Sequence, residues 1–446
     1  MTQIAKELLS RFYPTSQSVQ SNELNVAVVG GGPAGLLLAW KLLNVGHKVT
    51  VLEKRGAYQL NQTNDPRSYN LTADGLGLRA FGRLANLIYC AGIIVDGRAI
   101  HSRSGSLWTH PYGHRTSDHL VSIPRGDVLA LLTETIKNHP NCTLYFNCEV
   151  DDADVDNGTV HWKNNATSAQ NSSGGFTLIA FADGVSGKGH QKAVNQPGVT
   201  SSRASEETAY LNLTISKDEV TEAKLDLDKI HFFPADESLG IGLPNFDGTI
   251  SLLIEGQIHI NRKGESVCPF TGKAPFSFHH VVFNNKAEAA SYLQRQNPKL
   301  KQVLNDFPAQ VLKKRPGHFV ESFLNNWRVG QLGILVGDAG SCAPPWAGFG
   351  MNLACSHAAD FADLLSRHSN LEDALQQYNK RRQKCTEVVK EIIKEHGTLL
   401  NSGIGSRKWR REQKVRDRRE QVLGERSKYQ IVAFEEQGLE ELAGLE

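Results

Sequence analysis

The chain has 446 residues, of which 40% are hydrophobic and 22% are charged, and its 49 Lys and Arg residues nearly balance 47 Asp and Glu residues. This composition excludes a wholly disordered protein, and the small net charge of +2 argues against a polybasic nucleic-acid binder. The longest nearly apolar stretch, residues 26–40, is interrupted by glycines and is too short to cross a bilayer. We therefore expect a soluble globular protein of two or three domains, with no transmembrane segment and no nucleic-acid partner.

The cysteines and the N-terminus bear on the cellular compartment. The seven cysteines are scattered and form no C-x-x-C pair, which indicates a reducing environment rather than a disulfide framework. We expect a cytoplasmic protein whose polar residues 1–22 form a mobile leader. Lys6, Arg11 and the scarcity of acidic residues before Glu23 leave an organelle transit peptide as a minor alternative.

A glycine turn lies between a strand and a helix at the start of the chain. Residues 26–29 predict a buried strand, residues 36–43 a helix and residues 48–52 a second strand. Between the first two, residues 30–35 fit G-x-G-x-x-G, a turn whose backbone approaches a pyrophosphate at the positive end of the helix. A carboxylate at the end of the second strand suits a free ribose 2′-OH and disfavours a 2′-phosphate. We predict an FAD or NAD site that includes Gly30, Gly32, Ala34, Gly35 and Glu53.

A second glycine turn follows the apolar run 332–336. It reads Gly-Asp-Ala-Gly at 337–340, continues to Gly-Met-Asn at 350–352, and leads into helical spacing at 354–365. These motifs, in this order, resemble those of the FAD-dependent aromatic hydroxylases, in which the Asp binds the FAD ribityl chain and the G-x-G-M-N segment lies beside the isoalloxazine ring. The resemblance implies FAD contacts by Asp338, Gly350, Met351 and Asn352.

A more specific resemblance, to the kynurenine 3-monooxygenase family, is carried by segments 67–71, 97–102, 111–113, 122–125 and 243–245. It covers roughly residues 25–395. It implies that Arg98 and Tyr112 hold the carboxylate of an amino-acid substrate, and an Arg fork with a phenol suits that group. It also implies FAD contacts by further residues, namely Arg55, Arg67, Arg125 and Asp183.

The sequence departs from the family near the ring and near the C-terminus. Trp346 and Phe349 replace family residues at the ring-side turn, and we interpret them as walls of the substrate site, with ordinary core packing as the alternative. The Ser and Arg that the family places after Asp183-Gly184 are missing. His396 stands where a substrate-contacting asparagine is expected, and the family's later tyrosine has no match by spacing.

The resemblance implies an α/β fold: a Rossmann-like FAD-binding domain of the glutathione-reductase type with an inserted β-sheet substrate domain and C-terminal helices. We predict a leader at 1–22, an FAD-binding domain at 23–92, 118–195 and 325–372, a substrate domain at 93–117 and 196–324, and a helical segment at 373–446. Residues 407–428 hold ten Lys or Arg against four Asp or Glu. We expect a basic helix there that packs on the enzyme, with contact to nucleic acid or anionic lipid as the alternative.

The implied activity is that of an FAD-dependent monooxygenase that consumes NADPH or NADH and O₂ and hydroxylates a small aromatic substrate through a flavin C4a-hydroperoxide. L-kynurenine or a related aromatic amino-acid metabolite is the predicted substrate. We expect no catalytic protein residue, because the flavin supplies the chemistry, and no metal site, because the histidines near Asp118 lack a ligand spacing. Two alternatives stay open: oxidation or epoxidation of an indole or other apolar metabolite, and a flavin-bound binding or regulatory protein. The sequence does not indicate an oligomeric state.

Overall fold

The protein is represented by a computed structural model that describes residues 23–58, 69–202, 208–236, 238–312, 314–345, 348–401, 404 and 406–445, with side chains for all of these except 396–401. The predicted leader 1–22, Arg67 and Trp346 lie outside these ranges. His396 lies on a described helix, but its side chain is not among those described.

The strands of the described ranges form one six-stranded and one seven-stranded sheet with four smaller sheets. In chain order they are β1 (Asn25–Val29), β2 (Lys48–Glu53), β3 (Asn70–Ala73), β4 (Ile93–Val95), β5 (Gly97–His101), β6 (Leu107–Pro111), β7 (Leu120–Pro124), β8 (Cys142–Phe146), β9 (Cys148–Asp154), β10 (Thr159–Asn164), β11 (Gln170–Ser173), β12 (Leu178–Phe181), β13 (Thr208–Ile215), β14 (Lys229–Pro234), β15 (Ser238–Pro244), β16 (Ile250–Gln257), β17 (His259–Ile260), β18 (Ser266–Val267), β19 (Gly317–His318), β20 (Ser322–Phe323), β21 (Arg328–Val329), β22 (Gly333–Leu335) and β23 (Ser341–Cys342).

The helices alternate with these strands in the first half of the chain and dominate after residue 350. In chain order they are α1 (Pro33–Asn44), α2 (Gly75–Phe81), α3 (Ala85–Ala91), α4 (Arg125–Ile136), α5 (Lys188–Val194), α6 (Lys217–Glu222), α7 (Lys286–Gln294), α8 (Pro298–Val303), α9 (Phe307–Val311), α10 (Gly350–Arg367), α11 (Leu371–Asn401), α12 (Arg407–Leu423), α13 (Lys428–Phe434) and α14 (Gly438–Leu442). Short 3₁₀ turns occupy Gly82–Leu84 and Gly337–Ala339. Within the described ranges, no helix has the length and apolar character needed to cross a membrane.

The six-stranded sheet has the order β21-β22-β12-β1-β2-β8, and every pair in it is parallel except β21 with β22. β1 lies at its centre, and its residues 26–29 are all buried, as expected for a strand covered on both faces. α1 begins with Pro33 at its first position, which suits the fixed φ of proline, and Gly46 turns the chain toward β2 with a φ of 91°. The βαβ opening predicted from the sequence is confirmed.

The seven-stranded sheet has the order β19-β13-β16-β15-β14-β5-β6. Because side chains alternate between the faces of a strand, the paired residues Leu211 and Ile254 lie on one face, where they join a core with Leu300 and Phe307 of α8 and α9. Their neighbours in sequence point to the opposite face. That opposite face turns toward the six-stranded sheet and forms a wall of the cavity described below.

The C-terminal helices cover one end of this cavity. Trp409 of α12 packs edge-on against Trp108 of β6, with ring centroids 5.0 Å apart. The predicted basic helix at 407–428 is interrupted: α12 ends at Gly424, which has a φ of 68°, and α13 begins after Ser427, whose side chain caps it. α12 therefore packs on the enzyme through Trp409, while the chain beyond it turns back toward the sheet.

Candidate active site

The two glycine turns lie side by side although three hundred residues of sequence separate them. A Cβ added at Gly337 would lie 3.0 Å from the Cβ of Ala34 and 3.2 Å from the Cβ of Ala354. Gly337 has a φ of 67°, so a side chain there would be strained as well as crowded. The start of α1 and the start of α10 thus open onto one common cleft.

The first glycine turn has the properties of a pyrophosphate site. Gly30 has a φ of 102°, and a Cβ there would come within 2.4 Å of the Ala182 carbonyl oxygen, so only glycine fits. Gly32 precedes α1 without a side-chain cap, and a Cβ at Gly32 would meet no heavy atom within 4 Å. The N–H groups at the positive end of α1 therefore face open space, which is the arrangement that an anion requires.

Glu53 closes the side of this turn. Its carboxylate accepts hydrogen bonds from the backbone N–H of Gly31 at 2.7 Å and of Arg55 at 2.8 Å, and the residue is 4% exposed. Arg55 contributes a guanidinium 3.6 Å from the same carboxylate. The acid sits at the end of β2, where a ribose next to the pyrophosphate would be placed.

Asp183 lies behind the first glycine turn. Its Oδ2 accepts a hydrogen bond from the N–H of Gly189 at 3.1 Å, while its Oδ1 is buried without a hydrogen-bond partner among the described residues. Burial raises the pKa of this carboxyl to about 6. The neighbouring Gly184 has a φ of 81°, and a Cβ there would meet open space. The space beside Gly184 is therefore open, whereas the Asp183 carboxyl is packed against Gly187 at the start of α5.

A cavity of about 410 Å³ extends from these turns to the seven-stranded sheet. Asp338 lines it where it meets the first turn, together with Pro33 and Arg125. Burial raises the pKa of Asp338 to about 6, and the nearby charge of Arg125 opposes that rise. α10 starts at Gly350 without a side-chain cap. A Cβ added at Gly350 would meet no heavy atom within 4 Å. The second turn thus offers a carboxyl and an open helix end to the same cavity.

Asn352 connects the second turn to β3. Its Nδ2 donates to the carbonyl oxygens of Thr72 at 2.8 Å and Gly348 at 3.1 Å, and its Oδ1 accepts from the N–H of Asp74 at 3.2 Å. Asp74 in turn caps α2 by accepting from the N–H of Gly77 at 2.9 Å, and burial raises its pKa to about 7. Met351 lines the cavity beside these residues. The Gly-Met-Asn segment is therefore held rigidly at the cavity wall.

Arg98 and Tyr112 meet at the other end of the cavity. The Arg98 guanidinium lies over the Tyr112 ring, 4.2 Å from its centroid, and both residues line the cavity. Burial raises the pKa of the Tyr112 phenol to about 12, against the effect of the nearby Arg98 charge. Within the described part of the chain, no ion pair includes Arg98. This end of the cavity therefore carries a positive charge and a phenol that are available to an anion.

Tyr429 of α13 is a third residue at this end, and sequence reasoning missed it. It lines the cavity near Arg98 and Tyr112, is 7% exposed, and stacks on Phe349 with ring centroids 5.2 Å apart. Tyr429 comes from a helix 33 residues beyond His396, so no spacing in the sequence signals it. Phe349 itself is fully buried behind Tyr429 and does not reach the cavity surface.

Sequence reasoning also missed Glu255 on β16. It lines the cavity near Tyr210 and the second glycine turn, and burial raises its pKa to about 8. Its only signal in the sequence is an acid that directly follows the apolar residues 252–254 of the strand. Among the described residues, no group of three His, Cys, Asp or Glu side chains is placed to hold a metal ion.

Comparisons with known proteins agree with this architecture. The family model for the FAD binding domain matches residues 23–393. The kynurenine 3-monooxygenase of Salinispora tropica is 27% identical over 379 residues, which cover 82% of this chain and 78% of that protein. The kynurenine 3-monooxygenase of Anopheles gambiae is 25% identical over 382 residues, which cover 82% of this chain and 72% of that protein.

Solved structures show the same fold. The p-nitrophenol 4-monooxygenase of Pseudomonas putida aligns with a TM-score of 0.66 at 19% identity, over 90% of this chain and 95% of that one. The 2-methyl-3-hydroxypyridine-5-carboxylic acid oxygenase aligns with a TM-score of 0.63 at 18% identity, over 87% of this chain and 94% of that one. With two glycine turns that fit FAD and a family match over most of its length, the chain belongs to the FAD binding domain family, as an FAD-dependent monooxygenase of the aromatic hydroxylase class.

Proposed function

We propose that this enzyme hydroxylates an aromatic amino-acid metabolite, with L-kynurenine as the leading substrate and its 3-hydroxy derivative as the product. The observation that carries the proposal is the Arg98 guanidinium, half-buried over the Tyr112 ring in the cavity and without an acidic partner among the described residues. A partly buried cation without a counter-charge favours a ligand that supplies a carboxylate. Tyr112 and Tyr429 add two phenols next to it.

The walls between Arg98 and the second glycine turn suit an aromatic ring. They include Ile230, Phe232, Ile241 and Leu243, all on the same face of the seven-stranded sheet. This apolar wall lies on one side, and the second glycine turn lies on the other. Together they would hold a flat substrate between the seven-stranded sheet and the cofactor. α12 and α13 pack over the Arg98 end, where a second cavity of about 110 Å³ lies between them and the sheet. A substrate that fills this end would shield it from water, which favours hydroxylation over loss of peroxide.

FAD fits the open cleft between the two turns, and we infer which residues hold it. The pyrophosphate would lie at Gly30, Gly32, Ala34 and Gly35, the adenosine ribose at Glu53 with Arg55, and the ribityl chain at Asp338 with Arg125 and Asp183. Gly350, Met351 and Asn352 would border the ring. When bound, FAD reduced by NADPH or NADH supplies the activation of O₂, and the protein residues bind, orient and shield the substrate. The predicted domain boundaries stay a prediction: an FAD-binding domain at 23–92, 118–195 and 325–372, and a substrate domain at 93–117 and 196–324.

The proposal is tested by following NADPH loss, peroxide release and product together while L-kynurenine is added to the FAD-loaded enzyme. We expect faster NADPH oxidation and formation of 3-hydroxykynurenine in proportion to it. Faster oxidation with peroxide as the only product would mean that L-kynurenine is an effector rather than a substrate. No response in either assay would contradict the proposal.

The apolar character of the cavity walls favours one second candidate, the oxidation or epoxidation of an indole or another apolar metabolite. In that case the ring would bind against Phe232 and Ile241, and Arg98 would pair with no substrate group. The same assay separates the two, because an indole without a carboxylate would stimulate product formation and L-kynurenine would not.

We also place the enzyme in the cytoplasm. No disulfide joins any of the seven cysteines, and Cys148, Cys268, Cys355 and Cys385 are buried. These are the properties of structural cysteines in a reducing compartment. Cell fractionation with detection of the enzyme in the soluble fraction checks this assignment.

A further inference from the structure

Glu255 is an acidic side chain in the wall of the cavity that the proposed function does not use. It is 9% exposed, and this exposure is toward the cavity that it lines. Among the described residues it forms neither an ion pair nor a hydrogen bond through its carboxyl group, and burial is the sole cause of its raised pKa. An isolated buried carboxyl is costly and therefore favours a ligand that supplies a positive charge or a hydrogen-bond donor.

Glu255 and Arg98 lie at opposite ends of one sheet face. Glu255 is paired with Tyr210 on β13 and with Leu239 on β15, whereas Arg98 on β5 is paired with Ile230 on β14. The strand order β16-β15-β14-β5 separates the two by three strand spacings, or about 14 Å across the sheet. The two ends of the cavity therefore favour ligands of opposite charge: Arg98 favours an anion, and Glu255 favours a cation, whose positive charge would stabilise the ionised carboxylate.

Aromatic rings surround the Glu255 end. The Tyr69 ring meets Tyr210 edge-on with centroids 5.8 Å apart, and Phe319 stacks on Tyr210 with centroids 4.6 Å apart. All three line the cavity together with Glu255 and His318. Aromatic faces attract cations, most strongly where water is excluded, and a flat ring makes the largest contact with them. The chemistry of this end therefore matches a planar cation.

We propose that Glu255 makes this end of the cavity a binding subsite for a planar, positively charged aromatic ring, with Tyr69, Tyr210 and Phe319 as its aromatic walls. The inference rests on the proposed function in that both use one cavity, but it does not depend on L-kynurenine being the substrate. Two sources supply such a ring: the oxidised nicotinamide of the spent electron donor, which is a pyridinium cation, and a substrate that contains a cationic nitrogen ring. Asp338 and Arg125 line the same cavity, so either ring would bind next to the predicted position of the flavin.

The test measures binding of a small pyridinium probe to the FAD-loaded enzyme by calorimetry. The probe is 1-methylnicotinamide, and nicotinamide, which has the same ring without the charge, is the matched neutral ligand. We expect Glu255→Gln to weaken binding of 1-methylnicotinamide at least tenfold and to leave the affinity for nicotinamide within twofold. Glu149→Gln, which removes an exposed acid on β9, is the control and should change neither. Equal affinity of wild type and Glu255→Gln for the charged probe would overturn the proposal.

Two further measurements identify the source of the ring and guard against misfolding. If Glu255→Gln also weakens NADP⁺ binding, the subsite accepts the nicotinamide; if it instead raises the KM of a cationic-ring substrate and leaves NADP⁺ affinity unchanged, the subsite belongs to the substrate. Glu255→Asp keeps the charge and should retain probe binding, which separates a lost charge from a lost fold. Turnover of L-kynurenine by wild type is measured in parallel, so failure of the proposed substrate is distinguishable from failure of the subsite.

Discussion

At the scale of single residues, the proposed function assigns the choice of a carboxylate-bearing substrate to Arg98. We expect Arg98→Met to raise the KM for a carboxylate-bearing substrate, because removing one partner of a buried charge pair costs about 2–5 kcal/mol. The lower figure corresponds to about a 30-fold loss of kcat/KM. Arg103→Met is the matched control, since Arg103 lies just beyond β5 and pairs with the exposed Asp236.

Steady-state kinetics check this prediction with two substrates. The kcat/KM for a carboxylate substrate should fall in Arg98→Met and stay unchanged in Arg103→Met. An aromatic substrate without a carboxylate should lose nothing in either variant. An unchanged KM in Arg98→Met would remove Arg98 from the substrate site.

Glu255 should make the free energy of unfolding depend on pH. Its pKa is about 8 in the folded protein against 4.5 for the ordinary side chain, so the unfolded chain loses this proton first as pH rises. The stability of wild type therefore falls between about pH 4.5 and pH 8, by up to about 1.4 kcal/mol per pH unit from this group. The titratable side chains that line the cavity around it are Tyr69, Tyr210 of β13 and His318 of β19, and its neighbour on β15, Leu239, is apolar.

Glu255→Gln should therefore unfold at a higher temperature than wild type, with a difference that grows from pH 5 to pH 8. Thermal unfolding at four pH values checks this, with Glu149→Gln as the variant that should follow wild type throughout. A pH-independent difference would mean that Glu255 is already ionised in the folded protein.

The sequence identified some of these residues and not others, for a physical reason. Gly30, Glu53 and Asp338 lie in short motifs whose turn geometry is local, so a sequence pattern is enough to locate them. The alternation along β16 also places Glu255 opposite Ile250, Leu252 and Ile254, but only the sheet order shows which face meets the cavity. The position of Tyr429 depends on how α13 packs on the sheet, which no local pattern encodes.

At the scale of elements, a buried ion-pair network docks the C-terminal helices. Arg426, between α12 and α13, lies 2.8 Å from the carboxylate of Asp118 and 2.7 Å from that of Glu435. Asp118 is 3% exposed, so loss of Arg426 would leave its carboxylate buried and uncompensated, at a cost of about 3–5 kcal/mol. We expect Arg426→Met to loosen α12 and α13 from the sheet.

Limited proteolysis and peroxide release measure this loosening. Cleavage within residues 406–445 should become faster in Arg426→Met, and more peroxide should be released for each NADPH consumed, because water gains access to the Arg98 end. Arg411→Met removes an exposed charge of α12 and serves as the control. Equal cleavage rates in both variants would show that other contacts hold these helices.

The helices and strands themselves were predictable where their patterns are local. The helical spacing of apolar residues at 36–43 and 354–365 lies within α1 and α10. The basic helix ends earlier than its composition suggested, because Gly424 adopts a left-handed conformation. The pairing of β5 with β14 was not predictable, because the strands are parallel and more than 100 residues apart. Pairing at such a separation follows from the packing of the whole sheet and not from either strand alone.

At the scale of the whole molecule, the cofactor should stabilise the fold because it bridges distant parts of the chain. A ligand that binds only the folded state adds about 2.7 kcal/mol of stability at a concentration of one hundred times its Kd. We expect removal of FAD to lower the unfolding temperature and FAD addition to restore it in a concentration-dependent way. Gly30→Ala should abolish this response, because its Cβ would come within 2.4 Å of the Ala182 oxygen.

Gly105→Ala is the control that separates lost FAD binding from backbone strain. Gly105 also has a positive φ, 86°, but a Cβ there would meet no heavy atom within 4 Å. Both variants carry the strain of a side chain at positive φ, about 1–2 kcal/mol. Only Gly30→Ala also places its Cβ against the backbone of Ala182 and Asp183, which displaces the first glycine turn. Thermal unfolding against FAD concentration should therefore show a shift in Gly105→Ala and none in Gly30→Ala. Equal shifts in both would place the pyrophosphate away from the first glycine turn. If that turn holds part of the cofactor, damage to it must weaken FAD binding and so reduce the stabilisation that FAD gives to the folded state.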